Sequence, residues 1–266
     1  MKRIGVQMSV NMIFETHAHY DDEAFDEDRE ALIDSLPQSG IGLVVNVGAS
    51  INTSKKTLEL TKKYPFFYGA IGVHPSETAE LNEENFMWLK EAVQQPKVVA
   101  VGEIGLDYYW DTPEHDIQKL WFERQMELAK EVKLPAIIHS RDAAQDTYEM
   151  IKSAKLNETG GVIHCFSYGK EMAEKYLDLG FYLGIGGVVT FKNAKKLKEV
   201  VKYAPIDRIL LETDCPYLAP EPNRGKRNSS HNLIYVAQEI AVIKGIEYEE
   251  VLEATEKNAR EFYGID

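Results

Sequence analysis

Eight short apolar runs alternate along this chain with longer charged segments of helical period, and no other feature constrains the fold as strongly. The runs, rich in Val, Ile and Gly, are residues 13–16, 43–48, 67–73, 98–104, 136–138, 161–163, 181–189 and 209–212. Between them, residues 25–36, 53–64, 84–94, 117–132, 143–154, 170–179 and 195–203 carry apolar side chains at i, i+3 and i+4 spacings among Lys and Glu. Two further helices, 230–244 and 248–262, are expected to close the chain. Strands that are nearly all apolar suit a parallel sheet covered on both faces. Strand then helix, eight times over about 250 residues, predicts an α/β fold of the (β/α)8 TIM-barrel type. An open doubly wound sheet is the alternative, but it requires a glycine-rich phosphate turn after its first strand. Thr16-His17-Ala18-His19 stands there instead.

Nothing in the sequence resembles a linker, so residues 12–266 are expected to form one domain after a short extension, 1–11. That extension lacks the apolar core and cleavage pattern of a signal peptide. At 44% hydrophobic and 27% charged the chain reads as a soluble globular protein. No run approaches the eighteen apolar residues of a membrane span. Two cysteines cannot supply a disulfide framework, and a cytoplasmic location with both thiols reduced is expected. Thirty Lys and Arg against 43 Asp and Glu leave a net charge of −13. That balance disfavours sequence-independent binding along duplex DNA, which draws on cations displacing phosphate counterions.

In a parallel barrel the reactive groups stand at the C-terminal strand ends. His17 and His19 follow the first run, and His74 the third. Glu103 and Asp107 lie in and after the fourth run, and His139, Arg141 and Asp142 after the fifth. His164 follows the sixth, and Glu212 and Asp214 lie at the eighth. Five of the seven histidines fall at strand ends, a concentration that scatter would rarely produce. His17-x-His19 has strand period, which turns both imidazoles to one face.

Six inward donors result, His17, His19, Glu103, His139, His164 and Asp214. A structural zinc needs only four ligands, so six predict two divalent cations bridged by a carboxylate, with Glu103 the natural bridge. Such a centre suits hydrolysis of phosphate esters or amides. Asp214 can serve both as ligand and as general base toward the attacking water. Glu212 is read either as support for a histidine or as a paired structural carboxylate. For His74, a ligand, a supporting group and a donor to substrate phosphate are all open, the last being preferred. Cys165 and Cys215 read as packing residues.

Substrate contacts are expected from Arg141, from Tyr108-Tyr109-Trp110 stacking on bases, and from Arg224-Gly225-Lys226-Arg227. A packed lid is the alternative for Trp110, and a solvated loop for the basic cluster.

Several separate blocks, in order, resemble the TatD family of metal-dependent deoxyribonucleases, within the amidohydrolase-like barrels. They are Phe14-Glu15-Thr16-His17-Ala18-His19, Gly72-Val73-His74-Pro75 and Gly102-Glu103-Ile104-Gly105-Leu106-Asp107-Tyr108-Tyr109. His139-Ser140-Arg141-Asp142-Ala143, His164-Cys165-Phe166-Ser167 and Glu212-Thr213-Asp214-Cys215-Pro216-Tyr217-Leu218-Ala219-Pro220 follow, and Arg224-Gly225-Lys226-Arg227-Asn228 completes the set. The resemblance implies a nuclease releasing nucleotides from single-stranded DNA ends, and it places metal ligands on the same six residues. Two departures fall in rim loops: Tyr168 where the family usually has Gly, and Ser229-Ser230 where it usually has Glu-Pro.

Imidazole-rich donors favour Zn, Mn, Co or Ni over Mg by softness, whereas the resemblance implies Mg, and the expected cofactors are two divalent cations of Mg, Mn or Zn. The expected partner is DNA, single-stranded or at ends, with no membrane and no obligate protein partner. Hydrolysis of a small amide or ester is the alternative, and a non-catalytic metal-binding protein a remote one. The charge of −13 narrows the expectation rather than excluding it. Two divalent cations and Arg224, Lys226 and Arg227 would make the mouth locally cationic on an acidic body.

Overall fold

The computed structural model describes residues 12–266, so the expected extension at 1–11 lies outside the described residues. Strands β1 (Ile13–Ala18), β2 (Ile41–Val47), β3 (Phe67–Ile71) and β4 (Val98–Asp107) are followed by β5 (Ala136–Arg141), β6 (Gly161–Ile163), β7 (Tyr182–Ile185) and β8 (Ile209–Leu211). They form one eight-stranded sheet in sequence order, every neighbouring pair parallel. The last seam is closed just beyond β8. Ala18 bridges Cys215, the Asp214 N–H donates to the His17 carbonyl (3.0 Å), and the His19 N–H donates to the Cys215 carbonyl (2.8 Å).

Helices α1 (Arg29–Ser35), α2 (Ile51–Lys63), α3 (Glu83–Ala92), α4 (His115–Val132) and α5 (Ala144–Ala154) wrap the first part of the barrel. Helices α6 (Lys170–Asp178), α7 (Lys195–Tyr203), α8 (Leu233–Lys244) and α9 (Tyr248–Tyr263) complete it. Their ends are set by local chemistry: Ser50 and Thr53 form a capping box at the start of α2, and Gly245 and Gly264 end α8 and α9 in the left-handed region. The main core fills the layer between sheet and helices, with Ile33, Phe67, Phe122 and Tyr176 fully buried. A second core holds Phe14, Val45, Ala70, Ile137 and Leu210 together with Phe262, Tyr263 and Ile265 at the end of the chain. Each such side chain withdraws apolar area from water worth roughly 1.5–3 kcal/mol. No described helix is long and apolar enough to cross a membrane.

The TIM barrel expected from the alternation is the observed fold; its departures lie at element edges. β1 and β4 run further than 13–16 and 98–104, carrying His17 and Asp107 into the sheet. The apolar run at 181–189 is a four-residue strand followed by a 3-10 turn, Gly187–Thr190. The first helical segment breaks into a 3-10 turn, Glu23–Phe25, and then α1. Apolar composition reports burial, and a buried 3-10 turn has the same composition as a buried strand.

Candidate metal centre

The site begins with an irregularity in β1. Its register against β2 shifts between Glu15 and Ala18, and a bulge of this kind re-aims the side chains beside it. His17 and His19 converge there, their Nε2 atoms 3.1 Å apart. From across the seam Asp214 brings Oδ1 to 3.3 Å from His19 Nε2 and 3.8 Å from His17 Nε2. The Asp214 backbone is left-handed, with φ of 57°, and is held by the bond to the His17 carbonyl. Strained conformations of this kind persist where the surroundings fix them.

A second trio gathers on β4, β5 and the end of β6. Glu103 Oε1 lies 2.8 Å from His139 Nδ1 and 3.3 Å from His164 Nε2, while Oε2 lies 3.4 Å from His17 Nε2 and 3.8 Å from His19 Nε2. One buried carboxylate thus faces both trios. The donor atoms of His17, His19 and Asp214 lie within 4.8 Å of one another, as do those of Glu103, His139 and His164. Facing imidazole nitrogens ringed by carboxylate oxygens offer more lone pairs than the protons between them can satisfy. A cation supplies what such a donor set lacks, and the six residues fit it.

The electrostatics follow from this crowding. Burial pushes the Glu103 carboxyl up, but His164, His74 and His139 outweigh it and hold the group well below the carboxylate range. Burial pulls His19 down, yet the bond and charge of Asp214, then Glu103, raise it to about 9. His164 is lowered by burial and raised more by Glu103 and Glu212, ending well above the usual histidine range. His74 goes the other way: burial, then His139, press it down to about 3, so it stays neutral.

Glu212 supports a histidine, one of its two expected roles, with Oε1 3.3 Å from His164 Nδ1. Gly184 makes room, since a Cβ there would stand 2.3 Å from Glu212 Oε2. Asp107 is the residue that sequence reasoning left out of the ligand constellation. Its Oδ2 lies 3.0 Å from His139 Nε2, opposite the Glu103 contact, so a proton on Nε2 directs the Nδ1 lone pair toward Glu103. The signal was available, because Glu103 and Asp107 share a strand parity, but Gly105 resembled a strand end. Gly105 in fact continues β4 at φ of 148°, where a Cβ would stand 1.9 Å from the His139 carbonyl oxygen.

A cavity of about 430 Å³ opens above five of the six donors, all but His17, with His74, Asp107, Trp110, Arg141 and Tyr217 on its walls. The Asp214 side chain is 17% exposed and Glu103 only 5%, so Asp214 is the carboxylate that a ligand reaches more readily. Arg141 lies over the Tyr109 ring, guanidinium carbon 3.7 Å from its centre, and has no ion-pair partner among the described residues. Trp110 is 56% exposed, packed edge-on to Tyr109. His74 is on the wall, its Nε2 3.7 Å from Glu103 Oε1, as either a phosphate donor or a ligand requires.

Three expected contacts stand elsewhere. Arg227 is committed to a two-point ion pair with Asp28 and to the Ala24 carbonyl. Arg224 lies over the Phe191 ring, and neither arginine is on the cavity wall. Tyr108 donates to Asp146 and stacks on His115, also away from the wall, so Trp110 and Tyr217 are the aromatics at the opening. Cys215 is buried and Cys165 partly so, both thiols pushed far up by burial, in keeping with packing roles.

Comparison with known proteins agrees with this fold. The chain is 46% identical over 255 residues to the uncharacterized metal-dependent hydrolase YabD of Bacillus subtilis, covering 96% of this chain and all of that one. Among solved structures, the TatD homologue YjjV of Escherichia coli superposes with a TM-score of 0.91 at 30% identity, covering 97% of this chain and 100% of that one. A TatD-family hydrolase from Entamoeba histolytica superposes with a TM-score of 0.87 at 25% identity, covering 96% and 99%. A family model, that of the TatD related DNases, matches residues 14–264, nearly the whole barrel. By that match and by its relatives, the chain belongs to the TatD family.

Proposed function

We propose that this protein is a metal-dependent hydrolase of phosphodiesters, a deoxyribonuclease acting at single-stranded DNA ends. One observation carries the reading: a six-donor centre opens into a cavity whose rim presents Arg141, without an ion-pair partner, beside the exposed Trp110. The family description, TatD related DNase, points the same way. Two divalent cations held by His17, His19, Glu103, His139, His164 and Asp214 would supply Lewis-acid charge stabilisation and make water nucleophilic near neutral pH.

The chain's own groups do the rest. Asp214, facing the cavity, accepts the proton of the attacking water at its second carboxylate oxygen, Oδ1 being turned toward His17 and His19, while Glu103 stays ionised and fixes the spacing of the two trios. His74, neutral throughout the working range, donates a hydrogen bond to a phosphate oxygen without adding charge. Arg141 is pre-ordered by its stacking on Tyr109, so its fork meets a phosphate at small entropic cost. Trp110 offers a face to a terminal base, a contact worth about 1–3 kcal/mol.

The test compares a single-stranded oligonucleotide with bis(p-nitrophenyl) phosphate in the presence of Mg²⁺ or Mn²⁺. Trp110→Ala should raise KM for the oligonucleotide about 5- to 150-fold, the equivalent of that stacking energy, and leave the small diester within a few-fold. Arg141→Ala should impair both substrates. Cleavage of small amides or esters with the oligonucleotide ignored would replace this reading with hydrolysis of a small substrate.

A further inference from the structure

Glu15 is fully buried, lies two residues before the first donor, and has no place in the chemistry above. Its Oε1 accepts the His17 N–H (3.2 Å) and the Thr213 N–H (2.9 Å). Its Oε2 accepts the Thr213 hydroxyl (2.6 Å). A single carboxylate therefore holds the backbone of one donor, His17, and of the residue before another, Asp214.

Those donors come from opposite ends of the chain. They meet at the β8–β1 seam, where β8 has already ended at Leu211 and one isolated bridge, Ala18 with Cys215, replaces a ladder. Elsewhere in the barrel ladder bonds fix neighbouring donors, as between β4 and β5, where Gly105 pairs with His139. At the seam the bulge in β1 breaks the register at the same place. Two backbone bonds, Asp214 N–H to the His17 carbonyl and His19 N–H to the Cys215 carbonyl, stand in place of a ladder there, and the three bonds of Glu15 reinforce them.

We propose that Glu15 is a positioning residue for the cation site of His17, His19 and Asp214, clasping the bulge of β1 to the segment beyond β8 so that donors from the two ends of the chain keep one geometry. The inference rests on the cation reading of the centre and is independent of the substrate. Glu15 touches neither cation nor substrate; it acts through the backbone of His17 and Thr213. The Glu103, His139 and His164 trio is fixed on β4, β5 and the end of β6 and should not depend on it.

The experiment titrates the metal-free full-length protein with Mn²⁺, reading affinity by calorimetry and by the electron-paramagnetic signal of free ion, with thermal unfolding alongside. Glu15→Leu should weaken one of two equivalents about 10- to 100-fold, the scale of losses when support behind a ligand is removed, and leave the other within a few-fold. Glu15→Gln retains an oxygen for both N–H groups and should restore most of the affinity. In an Asp214→Asn background, which already disables this site, Glu15→Leu should cause no further loss. Should Glu15→Leu not fold, Thr213→Val removes the hydroxyl bond to Glu15, together with the Cys215 N–H bond that the hydroxyl accepts, and should give a smaller loss at the same equivalent. Equal weakening of both equivalents, or a lowered Tm with both affinities unchanged, would overturn the proposal. Failure of the unaltered protein to bind Mn²⁺ would overturn the cation reading with it.

Discussion

Asp107 and Glu103 grip His139 from opposite sides, through Nε2 and Nδ1 respectively. Protonation on Nε2 leaves Nδ1 free for a cation, so Asp107 sets the tautomer that the ligand needs. Asp107→Asn, which can present its amide to Nε2, should lower cation affinity about 10- to 100-fold with little change in Tm. Metal titration against thermal unfolding checks this, and an unchanged affinity would contradict it.

Protonation gives a second prediction at this scale. His19 is lowered by burial but raised to about 9 by Asp214 and Glu103, so the metal-free protein carries that proton at neutral pH. A folded-state value above the ordinary 6.5 means that the pairing stabilises metal-free protein fully below about pH 6.5 and is lost as pH rises through about 9. A cation must displace the proton, so its affinity should move the opposite way, weakening by up to about tenfold for each unit that pH falls below 9. Calorimetric titration in two buffers of different ionisation heat measures the protons released; a count of zero between pH 7 and 8 would contradict the assignment.

Among the elements, β7 contributes to the centre by leaving space. Glu212 reaches His164 only because Gly184 carries no side chain where its carboxylate stands. Gly184→Ala should therefore displace Glu212, cost about 1–3 kcal/mol of stability as overpacking does, and weaken cation binding at the trio containing His164. Denaturant unfolding and metal titration read the two effects, and a stable variant with unaltered affinity would contradict the account. The same strands explain what the sequence made legible. Val- and Ile-rich runs report burial on both faces, so strand number and order followed from alternation alone. Strand ends did not, because Gly105 and the bulge after Glu15 are set by how neighbouring backbones approach, which no single run records.

For the whole molecule, the six donors were legible because a parallel barrel gathers its strand ends at one mouth, so histidines scattered from residue 17 to 164 share one address. The rim was less legible. Arg224 and Arg227 read as phosphate binders from charge density, but Arg227 is paired with Asp28 and Arg224 lies over the Phe191 ring, both off the cavity wall. Arg141, a lone cation in sequence, is the one that faces the cavity. Asp21, Asp22 and Glu77 stand on the same wall as Arg141, so the proposed preference for a strand end over a duplex rests on the cations that the six donors would hold, set in a body of net charge −13.

The most direct test incubates the purified protein with end-labelled single-stranded DNA under EDTA, Mg²⁺, Mn²⁺ or Zn²⁺, alongside Glu103→Gln and Asp214→Asn. The account predicts stepwise nucleotide release that requires a divalent ion and falls at least about 100-fold in each variant, the scale of a lost general base or bridging ligand. Release that persists in EDTA, release by both variants equal to that of the unaltered protein, or no release with any ion would contradict it.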